Sequence, residues 1–338
     1  MKRLFLSLIA LCWGSYIHCQ DVPDTLRIMW YNVENLFDCR DDSLTDDQQF
    51  LPDGNMRWTY KRYQKKLVNI SRVVAAVGNG HLPDLIGLCE VENERVLYDL
   101  TRRSPLKTAG YHFYVTQSLD ERGIDVALLY RPERFTPINR KDIRIEPTDN
   151  PTRDILHLTG KVSGKDTLSL FLCHFPSRSA GRKETEPYRM QAASLLKQHI
   201  DSLQSTSPNA SIIVMGDFND HPTNRSLSQV LQSKPVTPDS TITPQNLYNL
   251  IYNKEKGSYF FQGNWEKLDQ IIVSGSMLIP QSPLYTNESH TRIASFPFLL
   301  EYNERYGEYV PSRTLQGPLY KGGYSDHLPL VIDLIIKD

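Results

Sequence analysis

The stretch Ile212-Ile213-Val214-Met215-Gly216-Asp217-Phe218-Asn219-Asp220-His221-Pro222 runs from four apolar residues straight into glycine, aspartate and asparagine. A short apolar run of this kind reads as a buried strand. Gly, Asp and Asn together read as a turn. The turn alone does not explain why a core strand should end on two polar side chains, and other strand-like runs of the chain do the same. LRIMWYNVEN (26–35) delivers Asn32 and Glu34, LIGLCEVEN (85–93) delivers Glu90, and LFLCHFPSR (170–178) delivers His174. KLDQIIV (267–273) carries Asp269 at its start, and YSDHLPLVIDL (324–334) carries Asp326 and His327. Packed sheets gather their strand ends along one rim, so these groups are expected to converge.

The intervening sequence supports a two-sheet body. Strands are expected at 26–33, 84–91, 111–116, 124–130, 155–162, 167–175, 211–215, 268–273 and 330–336. From Tyr63, the apolar residues Leu67, Ile70, Val73, Val74 and Val77 follow helical spacing. Gly78-Asn79-Gly80 closes that helix with residues that accept left-handed geometry, and Lys61, Arg62, Lys65, Lys66 and Arg72 read largely as its solvent face. A second long helix is expected over 184–204, with Ala193, Leu196, Ile200 and Leu203 on one side. No composition shift or linker divides the chain, so residues 21–338 read as a single domain of two packed sheets with helices outside. Residues 280–323 form a long irregular stretch rich in Tyr, Pro and Gly. Leading directly into Ser325-Asp326-His327, it is expected to wall the pocket.

The first twenty residues stand apart. Met1-Lys2-Arg3 followed by an apolar segment from Leu4 to Trp13 is the pattern of a secretory signal peptide. The apolar run is far shorter than the ~20 residues a membrane span needs, so no stable membrane anchor is expected, and the product is expected to be periplasmic or secreted. Removing residues 1–20 takes away Lys2 and Arg3 and no acid, which moves the formal net charge from −1 to −3. A protein that grips polyanions non-specifically carries a basic excess, and this one does not. The remaining cysteines, Cys39, Cys89 and Cys173, are odd in number, which excludes a full disulfide framework. Cys89 and Cys173 sit inside apolar strands and read as small core residues.

Carboxylates with amide oxygens suit a hard cation such as Mg²⁺ or Ca²⁺, and histidines beside carboxylates suit general acid–base work. No nucleophile elbow and no Gly-rich phosphate loop is present. The chemistry implied is metal-assisted attack by water. YNVENLF, LIGLCEVEN, GIDVALLYR, CHFPSR, VMGDFND, KLDQIIV and YSDHLPL, in this order over 26–336, resemble the endonuclease/exonuclease/phosphatase superfamily of deoxyribonuclease-like phosphoesterases. The resemblance implies a four-layered α/β sandwich of two mostly antiparallel sheets flanked by helices. It implies that Glu90 binds the metal, with Asn32 arranging metal and phosphate and Asp326 as a second metal-side carboxylate. Asp217 would activate the water, Asn219 would hold a phosphate oxygen, and His327, partnered by Asp269, would contact the scissile phosphate. His174 would protonate the leaving oxygen. Glu34 is a further metal-side candidate. Asp125 reads equally as a substrate contact or a structural salt link, and Arg178 equally as a phosphate clamp or a solvated loop arginine. The cofactor expected is Mg²⁺, with Mn²⁺ or Ca²⁺ as substitutes, in a monomer.

The substrate class is set by loops. Arg292, Arg305, Arg313 and Lys321, with the tyrosines of 280–323, suit bases and phosphates. The first reading is therefore an endonuclease on DNA or RNA. A lipid, inositol or other small-molecule phosphoesterase is the second, and an inactive relative that only binds a phosphorylated ligand is the third.

Overall fold

A computed structural model describes residues 24–146, 151–238 and 241–337; the expected signal segment, 1–20, lies outside them. In chain order the strands are β1 (Thr25–Leu36), β2 (Leu85–Val91), β3 (His112–Val115), β4 (Asp125–Tyr130), β5 (Phe135–Ile143), β6 (Ile155–Val162), β7 (Asp166–His174), β8 (Ser211–Asp217), β9 (Ser233–Pro235) and β10 (Leu247–Asn249). There follow β11 (Tyr259–Phe261), β12 (Asn264–Glu266), β13 (Asp269–Ser274), β14 (Leu284–Tyr285), β15 (Thr291–Ile293), β16 (Leu300–Asn303), β17 (Glu308–Pro311), β18 (Leu315–Gln316), β19 (Leu319–Tyr320) and β20 (Leu330–Ile336). The α-helices are α1 (Tyr60–Gly78), α2 (Glu94–Arg102) and α3 (Glu186–Thr206).

One large sheet runs β14-β20-β1-β2-β4-β3, with β15 also on β20; the other runs β5-β6-β7-β8-β13-β10-β9. Most neighbours are antiparallel, but the short edge pair β9–β10 is parallel, and so, in the middle of each sheet, are β1–β2 and β7–β8. Parallel neighbours need a crossover, and α1 and α3 lie in the two mid-sheet connections. Alternation along the strands then decides the layers. Met29, Tyr31, Ile86 and Leu88 share a core with Leu67, Ile70, Val73 and Val74 of α1. Their neighbours Ile28, Trp30 and Leu85 face inward with Leu170, Leu172, Ile213 and Met215 of the second sheet. On that sheet's outer side Phe171, Ile212 and Val214 pack with Ala193, Leu196 and Ile200 of α3. The order is helix, sheet, sheet, helix.

Two expectations need correction. Lys66 is not on a solvent face: it is 1% exposed, and its Nζ donates to Thr314 Oγ1 and the Tyr324 carbonyl. Asn69, one turn on, donates to the Gly323 carbonyl at 2.6 Å. The chain around 314–324 covers this part of α1. β5 was not expected from the sequence, because only its end residues Phe135 and Ile143 are fully buried along an otherwise mostly exposed edge strand. Among the described residues no helix is long and apolar enough to cross a membrane.

Candidate active site

At the rim the central strands break register. The β1–β2 pairing jumps from Asn32↔Cys89 to Leu36↔Val91, and β2–β4 from Cys89↔Val126 to Val91↔Asp125. Glu90 is the extra residue of that second step, a bulge that re-aims its side chain. Its φ is +61°, and Glu34, Asn35 and Asn219 stand at +50°, +58° and +50°. Left-handed backbone is mild for asparagine and strained for glutamate. Gly216 has a different task. A Cβ there would lie 2.4 Å from the Cys173 carbonyl, so only glycine lets β8 run this close to β7. That register sets His174 opposite Asp217.

Glu90, His174, Asp217, Asn219, Asp326 and His327 line one cleft of about 650 Å³. Asn32 and Asp269 are buried directly behind it. Asn32 Nδ2 donates to Asp217 Oδ2 at 3.1 Å and Glu90 Oε1 at 3.3 Å, tying β1, β2 and β8 together. Asp217 Oδ1 accepts the Asn219 N–H at 2.9 Å, while Asn219 Nδ2 donates to the Phe175 carbonyl at 3.0 Å. Asp217 Oδ2 is 3.7 Å from His327 Nε2 and 3.9 Å from His174 Nε2. On its far side His327 Nδ1 meets Asp269 Oδ2 at 2.6 Å. Trp30 Nε1 donates to Asp269 Oδ1 at 2.9 Å, and the Ser258 hydroxyl donates to Oδ2.

This arrangement sets the charges. Burial opposes the His327 imidazolium, but Asp269 and Asp217 outweigh it and hold its pKa well above the usual range. His174 goes the other way: burial, then Arg153 and Arg122, push it well below, so it stands neutral at neutral pH. That corrects the expectation of His174 as the acid for the leaving oxygen. Burial and Asp269 raise the Asp217 carboxyl above its usual range, against the opposing charge of His327.

Asp217, Asp269 and His327 bring ligand-type atoms within 4.8 Å of one another. They do not make a metal centre, because both Asp269 oxygens already accept hydrogen bonds and His327 Nδ1 is committed to one of them. Glu90 fits better. Its carboxylate accepts from neutral donors, Asn32 Nδ2 and the Asn35 N–H at 2.9 Å, and no cation among the described residues lies in ion-pair distance. A carboxylate presented to a cleft in this way suits a hard divalent ion.

Other expected residues are placed differently. Glu34 does not line the cleft; its carboxylate accepts the Thr314 N–H at 2.6 Å and the Leu315 N–H at 3.2 Å, beside Arg313 Nε at 3.4 Å. Asp125 also turns away, accepting from Thr116 Oγ1 at 2.6 Å and the Ser118 N–H at 3.0 Å, and burial pushes it up to about 6. It pins the loop ahead of β4. Arg178 does line the cleft and is not a solvated loop arginine: it donates to the Asn219 carbonyl and pairs with Glu266 at 3.1 Å. The cleft walls are the 177–182 loop and the β11–β12 ribbon, not the 280–323 stretch. From that stretch Arg313 pairs with the cleft residue Asp326 at 2.7 Å. Ser258 and Tyr259 went unnoticed in the sequence. Tyr259 sets its ring 4.7 Å from the His327 ring; no local motif marks it.

Strand-end carboxylates, amides and imidazoles on a two-sheet sandwich define a hydrolytic phosphoesterase class. The chain belongs to the endonuclease/exonuclease/phosphatase family, whose sequence model matches residues 27–336; the family's members are divalent-metal-dependent. A Bacteroides thetaiotaomicron protein of this family shares the fold with a TM-score of 0.56 at 16% identity, covering 94% of this chain and 99% of that one. D. rerio TDP2 complexed with a single-strand DNA product gives 0.56 at 16%, covering 92% and 98%. A B. thetaiotaomicron mannosyl-6-phosphatase gives 0.55 at 18%, covering 92% and 100%. A comparison with curated protein sequences finds no match.

Proposed function

We propose that this protein is an exported, divalent-metal-dependent phosphodiesterase that cuts DNA or RNA. The observation that carries the reading is Asp217 set between two imidazoles on one cleft wall, with Asp269 clamped behind His327. A bound divalent ion, Mg²⁺ with Mn²⁺ or Ca²⁺ as substitutes, supplies Lewis-acid charge to a phosphate oxygen. Glu90 would hold it, and Asn32 fixes Glu90 against Asp217. Water forms the new bond to phosphorus and the ester P–O bond breaks. Asp217, its second oxygen occupied by the Asn219 N–H, takes the water's proton. The His327 imidazolium offers Nε2–H to the charge that grows on the phosphate. It also gives up the proton that the leaving oxygen needs, since His174 is neutral. Asn219 uses one amide N–H on Phe175 and keeps the other for a phosphate oxygen.

The polynucleotide reading rests on the cleft walls. Arg122, Arg178 and Arg182 line the same cleft as the half-exposed ring of Phe261, a combination of cations and a stacking face that suits single-stranded nucleic acid. A fold relative was captured with a DNA product. A small phosphoester is the second reading: about 650 Å³ is the size of a small-ligand pocket, and another fold relative is a sugar phosphatase.

The test is a substrate panel of supercoiled DNA, RNA, a sugar phosphate, sphingomyelin and a phosphoinositide, each with Mg²⁺, Mn²⁺, Ca²⁺ or chelator. Cleavage of a polynucleotide, lost in His327→Ala, is expected. Turnover of the small esters with no polynucleotide cut under any metal removes the nuclease reading, and an unimpaired His327→Ala removes the site. Cell fractionation tests export; full-length chain confined to the cytoplasm would overturn it.

A further inference from the structure

We infer that Arg313 is a built-in cation standing where a second divalent ion would bind, so that the cleft takes a single ion, at Glu90. The inference rests on the metal-dependent reading above. Phosphoesterases that use two ions hold them about 3.5–4 Å apart, on carboxylates free to ligate each one. At this rim Asp217 and Asp326 line the cleft with Glu90, Glu34 is joined to Asp326 through one guanidinium, and all but Glu90 are already engaged.

Asp326 Oδ2 meets Arg313 Nη2 at 2.7 Å. The same guanidinium lies 3.4 Å from Glu34 Oε1 through its Nε. One planar fork therefore spans two carboxylates, a geometry that a lysine ammonium does not reproduce. Glu34 is further sealed by the N–H groups of Thr314 and Leu315, the two residues that follow Arg313, so the arginine and the peptide donors arrive as one unit. The buried Lys66 adds a second positive charge behind them, tied to Thr314 and Tyr324. Two acids, Glu34 and Asp326, thus face two bases, Arg313 and Lys66. Asp217 is committed to Asn32 and Asn219. Glu90, with neutral donors only, is left for a metal.

The experiment is direct counting of Mn²⁺ on metal-stripped protein, by titration calorimetry and by the paramagnetic resonance of unbound Mn²⁺. One Mn²⁺ per chain is expected in the parent and none in Glu90→Gln. Arg313→Met, which keeps the apolar stem but frees Asp326, is expected to bind two, and the Arg313→Met/Asp326→Asn pair one again. Two ions in the parent, or one in a folded Arg313→Met, overturn the role of Arg313. No ion in the parent overturns the metal reading itself, and this inference with it. Should Arg313→Met fail to fold by circular dichroism, Asp326→Asn in the parent background decides. Unchanged binding of one ion supports the inference, and loss of the ion overturns it.

Discussion

Replacing Asp269 by asparagine removes a negative charge from a fully buried position and changes no volume. Three donors converge on that carboxylate: Trp30 Nε1 on Oδ1, and the Ser258 hydroxyl and His327 Nδ1 on Oδ2. An amide satisfies them poorly in either orientation. With its oxygen toward Trp30, its NH₂ faces His327 Nδ1 and forces the proton onto Nε2 in the neutral tautomer. With its oxygen toward His327, its NH₂ confronts the indole N–H. A buried donor left without an acceptor costs about 1–3 kcal/mol, so the variant is expected to lose that much stability. The catalytic loss is larger. Burial already opposes the His327 imidazolium, and Asp269 is the first of the groups that overcome it. Loss of one preorganised donor to developing charge costs about 2.7–4 kcal/mol, or 10²–10³ in kcat. The sign of the pH effect follows. Asp269 raises the His327 pKa, so its loss lowers that pKa, and the alkaline limb of the kcat profile moves to lower pH. The assay is kcat against pH on whichever phosphodiester the parent cuts, with thermal unfolding alongside. A fall in kcat of less than tenfold, or an alkaline limb that stays in place, refutes the reasoning.

Gly87→Ala would set a Cβ 2.8–2.9 Å from the Trp30 ring and Leu172; overpacking of about 1–3 kcal/mol is expected, with kcat falling as well because Trp30 is pushed against Asp269, and a thermal melt that does not drop contradicts this. Glu92 is buried, and burial, followed by Asp38, Asp47 and Asp42 against the Asp38 N–H, pushes it up to about 8. Its folded pKa is above its unfolded value, so the stability it contributes is present at low pH and lost as pH rises toward 8. Glu92→Gln is therefore expected to melt increasingly above the parent between pH 5 and pH 9, and a constant difference would tell against it. Lys66→Met leaves Glu34 and Asp326 with one cation fewer in a buried setting; breaking such a pair costs about 3–5 kcal/mol, read as a drop in denaturant midpoint, and a neutral result would mean the network is not coupled.

The layers were legible because each strand reports its environment within a few residues. Apolar runs such as Leu85–Cys89 and Ile212–Met215 announce strands covered on both faces, and the 3.6-residue spacing of α1 and α3 announces their covers. β5 was illegible because an edge strand exposed along its middle carries no such pattern. Most of the site was legible for a related reason: a polar residue that interrupts a core strand is conspicuous, as at Asn32, Glu90, Asp217 and Asp269. The failures lie where the partner is distant in sequence. Asp125 stood as a substrate contact or a structural link alike, and Glu34 as a further metal-side candidate. Their sequestration depends on Thr116 and Ser118 in one case, and on Arg313 to Leu315 nearly three hundred residues away in the other. Lys66 shared its heptad neighbourhood with solvated bases, and only the fold of 314–324 over α1 buries it. His174 was recognised as a site residue, but its neutral state follows from Arg153 and Arg122, which no local motif links to it.

The residues held at positive φ, Glu34, Asn35, Glu90 and Asn219, have a thermodynamic consequence for the molecule as a whole. Backbone strain of about 1–3 kcal/mol at such a position persists only while surrounding contacts enforce it. Those contacts are the rim's own hydrogen bonds, from Asn32 and the Asn35 N–H to Glu90, from the Thr314 and Leu315 N–H groups to Glu34, and between Asn219 and Asp217 and Phe175, outside the sealed cores. The rim is therefore the part of the molecule with least to lose by relaxing. As denaturant or heat weakens the body, these strand ends are expected to spring back toward ordinary extended geometry first, scattering Glu90 and Asn219 while the sheets stay paired. Hydrolysis should fade at a lower denaturant concentration than the far-ultraviolet circular dichroism, leaving a folded protein whose catalytic geometry has already melted.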